Sequence, residues 1–134
     1  MTKITNDAIT ASHLADNATQ IADNYIAVWN ENDALRRGEL IARLFTADAD
    51  YADPMMRSSG HAGLNGMIGS VQQQFPGLLF GLHGGQDSHN DVVRFSWALG
   101  AEGAPPVAYG TDIVVLAADG RISKITGFLD AVAA

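Results

Sequence analysis

No cysteine occurs among the 134 residues. Disulfide staples, thiol nucleophiles and cysteine-ligated zinc are therefore excluded. Basic residues are also scarce. Eight Lys and Arg stand against fifteen Asp and Glu, for a formal charge of -7. Nucleic acid and anionic membrane both demand clustered positive charge, so neither is an expected partner. No apolar run reaches the ~20 residues that cross a bilayer. Met1 to Gln20 is polar and acid-bearing, without the apolar centre of a secretory leader, and none is expected. Internal repeats and low-complexity tracts are missing too. The lack of cysteine is compatible with a cytoplasmic location.

What is present is a globular composition, 47% apolar and 17% charged. The length suits a single domain over residues 1–134 with a real core. Residues 1–11 read as a loose lead-in, and Ser12 as the N-cap of a first helix. Leu14, Ala18, Ile21, Ala22, Tyr25, Val28 and Trp29 then form one apolar stripe at helical spacing. Asp33 caps a second, shorter helix through Phe45, and Thr46-Ala47-Asp48 links it to a strand at Tyr51. Met55 to Gly60 reads as a mobile loop. A third helix follows Gly60-His61-Ala62-Gly63, with Leu64, Met67, Ile68 and Val71 inward, and Phe75-Pro76-Gly77 ends it.

From Leu78 the periodicity changes from helical to alternating. Strands are expected over Leu78–Gly84, Asp91–Leu99, Val107–Leu116 and Ile122–Leu129, with a turn at Ala118-Asp119-Gly120 and a tail from Asp130. Helices first and a meander second imply an α+β fold, a mostly antiparallel sheet curved around the N-terminal helices. Several strands are apolar on both faces. The outer face thus predicts a homodimer through the sheet.

Two acids stand out. Asp53 precedes Pro54 at the end of a strand, on the same side as Ala49 and Tyr51. It is either a solvated turn residue or a general base. Asp112 lies mid-strand, where Asp is disfavoured, next to β-branched Ile113 and two positions from the small Gly110. It is either a pocket acid or the outer-face partner of Arg94 or Lys124. Tyr25 faces the interior and its phenol needs a partner. His61 is either a proton shuttle or a loop histidine in water. The four histidines (His13, His61, His83, His89) lack paired ligand spacing, so no metal is expected.

The chain resembles the nuclear transport factor 2-like superfamily, which includes ketosteroid isomerases and SnoaL-like polyketide cyclases. The resemblance runs from Ile21 to Asp130. It rests on Tyr25-Ile-Ala-Val-Trp-Asn, Leu44-Phe45-Thr-Ala-Asp-Ala, Tyr51-Ala-Asp53-Pro54, Gly60-His-Ala-Gly63, Gly110-Thr-Asp112 and Asp119-Gly120-Arg121-Ile122. It implies a cone-shaped pocket for a small apolar or aromatic ligand, worked without cofactor or metal. Matched to the isomerases, Asp53 falls on the base, Tyr25 on the oxyanion tyrosine and Asp112 on the second oxyanion donor. In those isomerases an apolar site keeps the second donor, a carboxylic acid, neutral. For Asp112 that neutral state is implied by the resemblance alone. His61, Trp29, Met67, Phe75, Trp97 and Phe128 are expected around the ligand. The implied function is an isomerase or cyclase for an enolisable ketone. A non-catalytic binding or dimerisation module stays open. So does a hydrolase or dehydratase with an Asp-activated water.

Overall fold

A computed structural model describes residues 3–133, with side chains from residue 17 onward. Three helices pack into the concave side of one seven-stranded sheet. Helix α1 spans Lys3–Asn30. It begins upstream of the expected start, because no glycine or proline interrupts the chain before Asn30. The lead-in expected over 1–11 is thus helical from Lys3. Ser12, expected as the N-cap, therefore lies within the helix and not at its start. The stripe Ala18, Ile21, Ala22, Tyr25, Val28 and Trp29 is buried as its spacing predicts.

Helix α2 covers Ala34–Leu44, and Asp33 caps it by accepting the Arg36 N–H at 2.9 Å. Strand β1 (Phe45–Ala52) starts directly after it. The link expected at Thr46-Ala47-Asp48 is therefore part of the strand. Pro54 does mark its end, one residue past Asp53. The loop expected at Met55–Gly60 instead carries β2 (Arg57–Ser59), a short strand antiparallel to β1. Helix α3 (Gly60–Gln74) buries Leu64, Ile68 and Val71.

The rest of the sheet is β3 (Leu79–Leu82), β4 (Asp87–His89), β5 (Val92–Gly100), β6 (Ala108–Leu116) and β7 (Ile122–Val132). Its order is β2-β1-β7-β6-β5-β3, with β4 beside β5. All pairings are antiparallel except β1 with β7. The last strand is longer than expected. Residues from Asp130 on continue it, with Ala131 opposite Tyr109 and Val132 opposite Ala108. Register shifts at Tyr109/Gly110 and Val115/Leu116 mark irregularities that let the β6–β7 pair bend around the helices.

The inner face of β5 carries Val93, Phe95, Trp97 and Leu99, as alternation predicts. The outer face is less greasy than expected. Arg94 pairs there with Asp87 at 2.6 Å. A hydroxyl chain joins Ser96, Thr111 and Asp130, at 2.8 and 2.6 Å. Among the described residues no helix is long and apolar enough to cross a membrane.

Candidate active site

Asp112 sits in the middle of β6, on the inner face, opposite Phe95 and Gly127. It is 4% exposed. Such a burial needs partners, and two neutral donors supply them. The Tyr25 hydroxyl donates to Asp112 Oδ2 at 2.6 Å, and the Trp97 indole N–H donates to Oδ1 at 3.3 Å. Burial pushes the Asp112 carboxyl up to about 6. The two donors oppose that rise, and the charges of Asp53 and Asp130 add to it. The alternative partners Arg94 and Lys124 are both exposed, and Arg94 is committed to Asp87 on the outer face. Asp112 is therefore an acid of the inner face and not the outer-face partner of Arg94 or Lys124.

Tyr25 comes from α1 and is 1% exposed, ringed by Trp29, Phe45 and Phe95. Burial and the nearby Asp112 charge hold its phenol well above the ordinary value. It stays a donor at any physiological pH. Gly110, the small residue two positions from Asp112, does not leave open space. The Trp97 indole lies against the bare backbone, where an added Cβ would fall 2.1 Å from Trp97 Cζ2.

Asp53 is half-buried just after β1. Its Oδ1 accepts the backbone N–H groups of Met55 and Met56 at 2.8 and 2.9 Å, and its own N–H closes the turn onto the Met56 carbonyl at 3.0 Å. This is the side-chain-capped turn that Asp favours before proline. Oδ2 accepts the Tyr51 hydroxyl at 2.6 Å. Tyr51 stands out in the sequence only as a same-side aromatic. Its position two residues before Asp53 on one strand face is the signal for this bond. Burial, then the Asp112 and Asp53 charges, raise the Tyr51 phenol.

The two pairs meet at Gly127, a glycine in a strand interior. An added Cβ there would lie 3.0 Å from Asp112 Oδ1, 3.1 Å from Asp53 Cβ and 3.5 Å from the Tyr51 hydroxyl. Tyr25, Asp112, Trp97, Tyr51 and Asp53 thus converge. Gly127 escapes sequence reasoning, since its meaning depends on sheet register.

The other expected residues divide. Trp29 is buried against Tyr25, Tyr51 and Phe80. Phe80 also packs edge-on against Trp97 at 5.2 Å, which makes a continuous aromatic wall. Met67 packs at the margin of the core. Phe75 is 39% exposed and lines a separate shallow cleft with Trp29 and Phe80. Phe128 is 51% exposed and sits opposite Thr111, which places it on the outer face. His61 is set apart. Its Nε2 bonds the Phe45 carbonyl at 3.0 Å, at the far end of β1 from Asp53. No cluster of three or more metal-binding side chains occurs among the described residues.

A helix-filled, curved sheet with a buried carboxylate on its concave face defines a nuclear transport factor 2-like protein. The profile of the SnoaL-like domain matches residues 22–125. The chain belongs to the SnoaL-like family. Among solved structures it is similar to a proposed isomerase of that family from Agrobacterium tumefaciens. The two share 40% identity over 87% of this chain and 99% of that one, with a TM-score of 0.84. A SnoaL-like protein of unknown function from Burkholderia thailandensis is 17% identical, over 87% and 97% of the chains, with a TM-score of 0.68. A proposed polyketide cyclase from Sinorhizobium meliloti is 16% identical, over 81% and 93%, with a TM-score of 0.62. These two share the fold. A comparison with curated protein sequences returns no match.

Proposed function

We propose that the protein is an isomerase or cyclase that needs no cofactor and acts on a neutral, enolisable ketone. The observation that carries this reading is the meeting at Gly127 of two carboxylates in unlike surroundings. Asp53 accepts from three N–H and O–H donors and is arranged as an anion. Asp112 is buried, with its carboxyl raised to about 6. Pairs of acids whose environments separate them in this way divide into base and acid. Among the described residues no cation bonds either carboxylate, which favours a neutral ligand.

The Trp97 indole can only donate, so Asp112 Oδ1 must accept. A proton on Asp112 therefore sits on Oδ2, facing the Tyr25 oxygen. Tyr25 accepts it and is left with its own O–H to give to a ligand. In the reaction, Asp53 takes a proton from the carbon next to the carbonyl. The C–H electron pair forms the new C=C bond, and the carbonyl π pair moves onto oxygen. Below about pH 6, where Asp112 keeps its proton, Tyr25 backed by that acid donates to the developing oxyanion. Isomerisation ends when Asp53 returns its proton to a different carbon. In a cyclase the enolate carbon instead attacks a second carbonyl, and that oxygen takes the proton.

The 40% identity with a proposed isomerase supports the same class. A second reading, a binding protein without catalysis, draws on Asp53 itself, whose three donors also suit a purely structural turn. The outer sheet face remains the proposed homodimer surface, through Ile113, Val115 and the exposed Phe128.

The test is ultraviolet detection of conjugated enone from a panel of β,γ-unsaturated cyclic ketones, with deuterium exchange at the α-carbon read by NMR. The wild type should turn over at least one, and Asp53→Asn should lose about 100-fold or more. Phenols mimic an enolate, and they should bind Asp53→Asn at least as well as the wild type. Phenol binding without exchange on any ketone would establish the second reading.

A further inference from the structure

The site contains one phenol more than the proposed chemistry uses. Tyr51 is 5% exposed, and its ring packs on Trp29 with centroids 5.7 Å apart. A phenylalanine would fill that place equally well. The hydroxyl therefore calls for its own explanation. It donates to a carboxylate at 2.6 Å, and that carboxylate is Asp53.

Consider what holds Asp53. Oδ1 is tied to two backbone N–H groups of its own turn. Those bonds leave the far oxygen free to rock with the turn. Met55 is 73% exposed, so solvent reaches the turn. The Tyr51 bond comes from the rigid part of β1, through a ring clamped in the core. It fixes the second oxygen independently of the turn. The Tyr51 hydroxyl is also 3.5 Å from the Gly127 point where the acids meet.

We propose that Tyr51 is the positioning residue of the Asp53 base: its hydroxyl holds Oδ2 on the Gly127 side and stabilises that carboxylate as an anion. The site then consists of two phenol–carboxylate pairs, Tyr51–Asp53 and Tyr25–Asp112, from three separate elements. They differ in the remaining donors. Asp53 has backbone N–H groups from a solvent-reached turn, and Asp112 has one indole in the core. That difference favours the anion at Asp53 over the anion at Asp112. The inference rests on the base role given to Asp53 above.

Other charges around Asp53 do not do this work. Asp112 on β6 and the phenol of Tyr25 on α1 are the titratable groups facing this region, while Asp130 on β7 is turned to Thr111 on the outer face. Each of them, when charged, is negative and disfavours a second anion. Arg57 and Arg94 are paired to Asp50 and Asp87 in exposed bridges.

The experiment is a pH titration of aspartate carboxyl carbons by NMR on the full chain, with Asp53 assigned through Asp53→Asn. In Tyr51→Phe the Asp53 anion loses one of its three donors. Its proton affinity should rise about tenfold, while the Asp112 step moves much less. With a ketone substrate in hand, the acid limb of kcat/KM should move to higher pH by the same factor, with KM little changed. An Asp53 titration that stays in place in Tyr51→Phe, with only thermal stability lowered, would overturn the proposal and leave Tyr51 a core residue. Should that variant fail to fold, the unaltered protein answers. The Tyr51 Cζ signal must follow the Asp53 titration, and a flat signal would overturn it. The titration needs no turnover. A failed ketone assay sinks the enzymatic reading, and a failed titration sinks this one.

Discussion

The indole of Trp97 lies on the backbone of Gly110, its cross-strand partner on β6. That contact lets the ring reach back to Asp112 with its N–H. A methyl group at position 110 would fall 2.1 Å from Trp97 Cζ2 and 2.8 Å from the Phe128 carbonyl. One of the two strands or the indole must shift. Gly110→Ala should cost about 2–4 kcal/mol, as overpacking and a lost buried bond do. Urea denaturation measures the cost. Tryptophan emission should move to the red as the displaced indole meets water. Unchanged emission and stability would mean that the ring is not seated there.

Asp112 should make the protein less stable as pH rises. Its folded carboxyl, at about 6, lies above the ordinary carboxylate value. Between pH 4 and 6 the native state therefore holds more protons than the unfolded chain. Stability falls through that window and stays lower above it, by about 2–3 kcal/mol. Asp112→Asn keeps an acceptor for Trp97 and carries no charge. It should abolish the slope and match or exceed the wild type at pH 8. Urea midpoints at pH 4.5, 6 and 8 in both proteins check this. A stability gain in the wild type over the same rise would contradict it.

Gly127 lets the two acids come close to one another across the strand. Gly127→Ala places a methyl group 3.0 Å from Asp112 Oδ1 and 3.1 Å from Asp53 Cβ. The fold should survive at a cost of about 1–2 kcal/mol, since the crowding atoms belong to side chains. Phenol binding should drop about tenfold or more, and any ketone turnover with it. Calorimetry with a phenol series reads the affinity, and circular dichroism confirms the fold. Full affinity in Gly127→Ala would place the ligand elsewhere.

Much of this is legible in the chain, and the gaps share a cause. The helical stripe through Tyr25 and the alternation in β5 follow from local periodicity, which sequence carries directly. Asp112 can be suspected because an acid between β-branched residues demands an explanation. What periodicity cannot carry is register. Only the pairing of Asp112 with Gly127, and of Trp97 with Gly110, reveals that one glycine lies against the two acids and the other under an indole. Phe128, expected at the ligand, lies on the opposite face, and His61 lies at the opposite end of β1, for the same reason. The strands β2 and β4 are three residues each, too short to show a period. Tyr51 is readable, two residues from Asp53, but its worth depends on a bond that parity alone does not predict.

A buried arginine that sequence reasoning passes over supports the site from outside. Arg37 on α2 is 4% exposed, and among the described residues no carboxylate forms an ion pair with it. Neutral oxygens hold the guanidinium instead. Nε donates to Asn65 at 2.6 Å, and Nη1 donates to the Glu31 carbonyl at 2.7 Å and to Gln72 at 2.9 Å. Gln72 in turn donates to the Trp29 and Glu31 carbonyls, both at 2.9 Å. The network ties α2 and α3 to the end of α1 that carries Trp29 and Tyr25. Arg37→Met keeps the apolar stem and removes the donors, leaving the Asn65 and Gln72 acceptors unpaired in a half-buried place. The cost should be about 3 kcal/mol, or roughly 10 °C in Tm for a domain of this size. Arg37→Lys should recover only part of it, since one ammonium cannot span the fork that meets three oxygens. Thermal melts of both variants measure this. Because the sheet carboxylates are untouched, the fall in stability that Asp112 causes between pH 4 and 6 should persist in Arg37→Met. Equal stability in all three proteins would show that the network contributes nothing to holding α1 in place.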